Sequence, residues 1–365
     1  MKSPLATTKH FQISQMLGEQ IKYMAPGDPL PTVASLMSEH AASQATITQA
    51  LDRLRRQGLV ERPLGRKRLV VATHVEMTVC RIVFIRPSWP SPDYDRLLYA
   101  VQEAAIKRHW GVDIVCYSSV HTLNLARALG SNDAAIFIPS SEPLSERIQS
   151  AMQSSKKPII YLRERSTISK LRSVYADDFR IGELATEHLL GLGHRNILAV
   201  TSEPTSSFTS RRLAGWRHAL QGAKVGNISS LLVDCTVQPG TRATKISYEK
   251  FSKWLDTEKN RSFSAVFCVD WTGVLGVTRA LREHGLKVPD NVSVVTFSGE
   301  EDWSEFFNPP LTTVEVNLNE FAEKALDQIE DALSGSSSLR SASSLRSTSV
   351  KIRPFLEVRE STKKL

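Results

Sequence analysis

The chain has 365 residues, 41% of them hydrophobic and 23% charged, with a formal net charge of +8 and a sequence pI near 9.3. That length suits two or three domains of ordinary globular composition, and the positive balance permits a polyanionic partner. No uninterrupted apolar run approaches bilayer length and the N-terminus lacks an apolar export core, so a cytoplasmic protein is expected.

The excess charge is concentrated near the N-terminus, where residues 1–75 hold ten Lys/Arg against five acids. The bland alternative is a solvated basic face. Four cysteines (Cys80, Cys116, Cys235, Cys268) are far apart, with no CxxC pair and no histidine at metal spacing. Cys80, Cys116 and Cys268 fall in apolar strand-like runs, which predicts buried free thiols, and neither metal nor cofactor is expected.

In chain order, three periodic helices come first. Residues 10–24 carry Phe11, Ile13, Leu17 and Ile21, and the prolines of "PGDPLPT" then force a turn. Residues 33–40 form a short helix with Val33, Leu36 and Met37 on one side. A third helix starts after Ser43, a plausible N-cap, and places Ile47, Ala50, Leu51 and Leu54 in one buried stripe. Gly58 ends it, "LVER" reads as a strand, and "PLGRK" as a hairpin tip returning through "RLVV". The order predicts a winged helix-turn-helix. Such a helix fits the major groove of DNA, and a cationic hairpin beside it reaches phosphates or the minor groove.

Residues 78–333 alternate apolar runs ("VCRIVFI", "AAIFI", "PIIYL", "SAVFCV", "VSVVTF") with amphipathic helical segments. This pattern predicts an α/β fold with two parallel, doubly wound sheets and a ligand cleft at their carboxyl ends. The serine-rich stretch 334–349 is expected to be a mobile loop, and "VKIRPFLEVRES" one last strand.

At "LPTVASLMSEHAASQATITQALDRLRRQGLVERPLGR" the chain resembles the GntR-type winged helix of bacterial transcription factors. From Val79 onward it is similar to the effector domain of the lactose-repressor (LacI/GalR) family, itself like periplasmic sugar-binding proteins. The motifs are "ADDFRIGELATEHLLGLGHRNILAV", "RRLAGWRHAL", "SAVFCVDWTGVLGVTRALREHGLKVPDNVSVVTF" and "NPPLTTVEVN". Reader plus sensor is the layout of arabinose-repressor-type regulators. The resemblance implies a reader at 1–73, a linker at 74–78 and a two-lobed, periplasmic-binding-protein-like sensor at 79–365. Lobe 1 is expected at 79–162 and 312–333, and lobe 2 at 163–311 and 350–360.

It also implies a homodimer on palindromic double-stranded operator DNA, with a small-molecule effector, a sugar or sugar derivative, held between the lobes. By linkage, that effector changes DNA affinity only as far as it prefers one lobe arrangement. LacI-type repressors use a hinge helix between reader and sensor. "VVATHVEMTVCR" shows no such pattern, so the wing is expected to take over part of that role.

Carried onto this sequence, the DNA candidates are Thr32, Gln44, Thr46, Thr48, Gln49 and Arg53, with Gly65, Arg66 and Lys67 in the wing. Gln49 suits adenine, Thr46 and Thr48 suit phosphate or a thymine methyl, and Arg66 and Lys67 suit phosphate. The alternative for the helix residues is an ordinary exposed face. Ala34, Gln44 and Thr48 stand where relatives often carry arginine, so the operator cannot be transferred.

In the sensor, Ser88, Trp89, Asp93 and Tyr94 follow the first strand, where the family lines its cleft; aromatic faces stack on sugars and carboxylates accept from hydroxyls. Arg212 matches the family's ligand-binding arginine, against the alternative of a structural ion pair. Asp270, Trp271, Arg163 and Ser298 stand where the family usually has Asn, Asp, Asp and Asp. Arg163 with Arg212 suits an acidic ligand; an Arg163–Asp270 ion pair would instead leave a neutral sugar site. For Asp177 and Asp178, capping competes with a cleft role, and Trp303 and Phe306 belong to the rim or the core. Turn or helix-surface roles are expected for His188 and His194. The competing class, a sugar-processing enzyme or transport-type binding protein, lacks support: there is no GxGxxG after a strand, GxxxxGK[ST], GxSxG or HExxH. A non-enzymatic, ligand-responsive repressor is the expectation.

Overall fold

The computed structural model describes residues 9–63, 68–72, 79–89, 91–168, 171–257, 263–297, 302–334 and 349–365. The expected linker 74–78, wing-tip residues Gly65, Arg66 and Lys67, Ser298, and all but the two ends of the serine-rich stretch lie outside them.

The N-terminal unit contains α1 (Lys9–Ile21), α2 (Val33–Glu39) and α3 (Gln44–Arg56), followed by β1 (Val60–Glu61) and β2 (Val70–Val71). Thr32 caps α2 by accepting the Ser35 N–H at 3.1 Å, and Ser43 caps α3 by accepting that of Thr46 at 3.3 Å. Gly58, at φ 70°, closes α3, with Leu59 N–H reaching the Leu54 carbonyl at 3.0 Å. β1 and β2 pair antiparallel, and β2 also exchanges backbone bonds with the turn at Gly27–Leu30. The wing base is thereby pinned to the helices. Leu36, Ile47, Ala50 and Leu54 are fully buried in this small core, about 2 kcal/mol of stabilisation for each large side chain.

The larger unit runs β3 (Cys80–Pro87), α4 (Pro92–Lys107), β4 (Trp110–Tyr117), α5 (Leu125–Leu129), β5 (Ala134–Phe137), α6 (Glu146–Ser154), β6 (Ile159–Arg163) and β7 (Arg172–Ala176). It continues with α7 (Asp178–Gly191), β8 (Ile197–Thr201), α8 (Ser207–Gly222), β9 (Leu232–Asp234), α9 (Ala243–Thr257), β10 (Ala265–Cys268), α10 (Trp271–Glu283) and β11 (Ser293–Phe297). Last come α11 (Asp302–Glu305), β12 (Thr312–Glu315), α12 (Leu318–Leu333), β13 (Ser349–Ile352) and β14 (Phe355–Glu357).

Lobe 1 is a parallel sheet in the order β13-β7-β6-β5-β3-β4, and lobe 2 has the order β14-β12-β11-β10-β8-β9, parallel except for β14. The central strands are buried on both faces because helices cover both. In β3, Ile82 and Phe84 face the layer of α4 and α12, while Val83 and Ile85 face that of α5 and α6. In lobe 2, α7 and α8 cover one face and α9 and α10 the other. No described helix is long and apolar enough to cross a membrane.

The expected lobe boundaries need correction. β7 belongs to lobe 1, β12 to lobe 2 while α12 returns to lobe 1, and the C-terminal segment splits. Pro354 interrupts "VKIRPFLEV", so β13 joins lobe 1 and β14 lobe 2 instead of forming one strand. The chain therefore crosses between lobes three times, at β7–α7, β12–α12 and β13–β14. Cys80, Cys235 and Cys268 are buried, but Cys116 is exposed, near the end of the edge strand β4.

His194 is buried beyond the expected turn role. Its ring nitrogens meet Ser264 Oγ at 2.8 Å, and Ser293 Oγ and the Lys363 carbonyl at 3.1 Å, which ties down the C-terminus. His188 Nε2 meets Thr362 Oγ1 at 3.0 Å.

Candidate functional site

The stripe that buries Ile47, Ala50, Leu51 and Leu54 turns the opposite side of α3 to solvent, and Gln44, Thr48 and Gln49 are exposed there. Thr46 is half-buried, with its hydroxyl 2.9 Å from Ser43 Oγ, so its first duty is the cap. Thr32 likewise spends its hydroxyl on capping α2. Arg55, Arg56, Arg62 and Arg68 extend the cationic surface around this face.

Arg53 does not belong to that surface. Its guanidinium stacks over Phe11 at 4.5 Å and ion-pairs with Asp133 of lobe 1, where its side chain is only 13% exposed. The helical period is the cause: Arg53 is one turn on from Gln49 but rotated toward α1 and lobe 1. Around it, Asp133 Oδ2 accepts the Arg81 N–H at 3.0 Å, and Gln57 Nε2 donates to the Val79 carbonyl at 2.8 Å. The N-terminal unit is docked on lobe 1 by the C-terminal turn of α3.

Between the lobes lies a cavity of about 740 Å³. Lobe 1 supplies Trp89, Tyr94 and Arg163, and lobe 2 supplies Glu203, Phe208, the loop 237–242 with the start of α9, Trp271 and Thr272. A smaller inner recess continues to Asp93, Asp178, Arg212 and Phe297, and to Ala176, Val316 and Leu318 beside two of the crossovers. The cleft walls are thus carboxyl ends of strands and the helix starts that follow them, the place such folds leave open.

Arg163 closes β6 with φ 77°, a left-handed conformation uncommon for a side-chain-bearing residue. This aims its guanidinium over Tyr94 (5.4 Å) and Phe208 (5.3 Å), and Nη2 reaches Asp93 Oδ2 at 3.3 Å. It pairs with Asp93 and not with Asp270. Arg212 is 3% exposed: Nε donates to Asp178 at 2.9 Å, Nη1 to the Val269 carbonyl at 3.0 Å and to Asp270 at 3.1 Å, and its plane covers Phe297 at 3.8 Å. Arg212 is therefore both structural ion pair and recess wall. With both arginines matched by carboxylates, the two expected to receive an acidic ligand are already neutralised.

Burial raises the pKa of Asp178 against the pull of Arg212, and raises Asp270 against Arg212 and the Ser202 and Glu203 N–H groups. Glu203 is affected most: burial, then Asp270 and Asp93, push it up to about 8 despite Arg163 and Arg212. Burial also lifts Tyr94 to about 12.

Trp89, Tyr94, Arg163 and Trp271 line the main cavity, and Asp93 and Arg212 the recess. Ser88 is exposed and outside both linings, its N–H held by the Tyr117 carbonyl at 2.9 Å, while Asp270 is buried behind Arg212. Asp177 caps α7 and pairs with Lys351 at 2.6 Å; Asp178 enters the recess. Trp303 packs on Trp271 at 5.7 Å, whereas Phe306 is 83% exposed. Glu203, Phe208 and Thr272 were missed by sequence reasoning. "SEP" directly follows a strand, as "PSWPS" does, and that position was the available signal.

Two family models match the chain: bacterial regulatory proteins of the gntR family over residues 11–70, and a periplasmic binding protein-like domain over residues 186–362. The chain thus joins a gntR-type segment to a periplasmic-binding-protein-like one. This GntR–binding-protein fusion is 30% identical over 189 residues to the transcriptional repressor PurR of Mannheimia succiniciproducens, covering 52% of each chain. It is 30% identical over 179 residues to the transcriptional regulator DegA of Bacillus subtilis, covering 49% of this chain and 48% of that one. The chain spans about half the length of the curated relatives it matches. Its fold is that of a LacI family regulator from Enterococcus faecium solved with bound ribose, with a TM-score of 0.65 at 22% identity, over 78% of this chain and 99% of that one.

Proposed function

We propose that this protein is a one-component transcriptional regulator, a repressor, whose two-lobed domain senses a small polyhydroxylated metabolite and thereby changes the grip of its winged helix on operator DNA. The observation that carries this is the continuity of the two sites. The exposed polar side of α3 and the docked Arg53 share one helix, and the lobe to which Arg53 is anchored forms one wall of the cleft. Lobe closure about the three crossovers changes the orientation of lobe 1, and so of the reader fixed to it. Aromatic walls from Trp89, Tyr94, Phe208 and Trp271 suit the apolar face of a sugar-sized ring. Two readers related by a twofold in a homodimer fit a palindromic site.

Binding of the intact protein to genomic duplex fragments, titrated with salt, tests the reading. Affinity is expected to fall steeply with salt, each phosphate contact contributing about 0.9 to the log–log slope. Arg66→Ala and Lys67→Ala should each flatten that slope by about one contact, while Gln49→Ala should relax sequence preference at one base pair, about 1–3 kcal/mol. Salt-insensitive or absent duplex association would end the proposal.

A further inference from the structure

Among the described residues, one acidic side chain of the cleft has no ion-pair partner. Around the guanidiniums of Arg96, Arg163 and Arg212 stand the carboxyl groups of Asp93, Asp178, Asp270 and Glu203. Asp93 is paired with Arg96 (2.6 Å) and Arg163 (3.3 Å), and Asp178 and Asp270 share Arg212 at 2.9 and 3.1 Å. Glu203 makes no ion pair with a described residue; its Oε1 accepts from the Thr272 hydroxyl at 3.3 Å. It lines the main cavity beside Trp271 and across from Trp89 and Arg163.

We infer that Glu203 is the counter-ion for a protonated amine on the effector, so that the cleft selects a small hydroxylated amine, of amino-sugar type, over its neutral and acidic counterparts. The inference rests on the cleft being the effector site. A half-buried carboxylate without a charged partner is costly to ionise at the cavity wall, and a ligand cation offsets that cost, whereas a ligand carboxylate would add a like charge near the other three carboxylates. The aromatic walls act in the same sense, since ring faces attract cations, and Arg163 already exploits Tyr94 and Phe208 in this way. Trp89 and Trp271 remain for the ligand. The cations of the outer wall do not reverse the preference. Lys245 and Arg279 are exposed and carry their own partners, Glu249 at 3.6 Å and Glu283 at 2.9 Å, and Arg242 is exposed to water. In the empty cleft burial holds Glu203 protonated near neutral pH, so taking up an amine releases one proton from its carboxyl to the buffer.

The test is calorimetric and thermal-shift titration of the full chain with glucosamine, galactosamine and mannosamine, their N-acetyl derivatives, the parent hexoses and the matching aldonates. The amines are expected to bind about tenfold or more tighter than the N-acetyl and parent sugars, with aldonates weakest. In Glu203→Gln, which keeps the shape of the protonated acid and so the fold, that preference should disappear while residual hexose binding persists. Tighter binding of hexoses or aldonates, or an amine preference that survives in Glu203→Gln, overturns the amine assignment and leaves the cleft as effector site. Failure of every compound to bind overturns both.

Discussion

Helices α7 and α8 meet at two glycines, and the geometry there sets a contest between two effects of known size. A Cβ on Gly182 would lie 2.7 Å from the Arg212 carbonyl carbon and 3.0 Å from the Trp216 nitrogen. Comfortable carbon contacts are about 3.5–4.0 Å, so Gly182→Ala must part the helices by about 1 Å. Alanine is worth about 1 kcal/mol over glycine in a helix interior, while forced overpacking costs about 1–3 kcal/mol. Backbone atoms cannot step aside as a side-chain tip can, so overpacking wins and the variant should lose stability, by up to about 2 kcal/mol. The same shift carries Arg212 away from Asp270 (3.1 Å) and Val269 (3.0 Å), beyond hydrogen-bond reach, and so should weaken effector binding as well. Gly191, at the end of the same helix, has no neighbour within 4 Å of where an added methyl would sit, and it is the control. Gly191→Ala should be neutral or slightly stabilising. Urea midpoints of both variants decide. If Gly182→Ala proved as stable as Gly191→Ala, the close crossing and the reasoning built on it would be wrong.

Asp133→Asn should loosen the reader. It strands Arg53 in a contact where both side chains are nearly nine-tenths buried, a loss of about 1–3 kcal/mol, visible as faster amide exchange at the end of α3; unchanged exchange would deny the docking. For Glu203 the folded-state pKa lies above the unfolded value, so the folded protein keeps a proton that the unfolded chain has lost. Stability should then fall as pH rises from about 4.5 to 8, by up to about 1.4 kcal/mol per unit, and level off above. That slope should vanish in Glu203→Gln when the two pH profiles are subtracted, and identical profiles would refute it. A thiol reagent should modify Cys116 alone in the native protein and all four cysteines in denaturant, since burial raises Cys80, Cys235 and Cys268 out of the thiolate range. Rapid native modification of more than one would contradict the burial.

The amino-acid order by itself settled the class of both halves. Stripes such as Ile47, Ala50, Leu51 and Leu54, caps such as Ser43, and a closing Gly58 act within one or two helical turns, so the winged helix is written locally. Apolar runs such as "VVTF" and "AAIF" declare strands covered on both faces wherever they fall. Which sheet a strand joins is a non-local choice. β7, β12 and β13 look alike in sequence whether they complete lobe 1 or lobe 2, and only the packing of α7 and α12 assigns them. The site divides in the same way. That Trp89, Tyr94, Arg163, Arg212 and Trp271 line the cleft was legible because they follow strands or match a motif. The inward turn of Arg53 and the proton held by Glu203 were not, because they depend on burial and on a neighbour more than sixty residues away, Asp133 for one and Asp270 for the other. Local chemistry chooses the elements; charge balance exists only after distant segments have met.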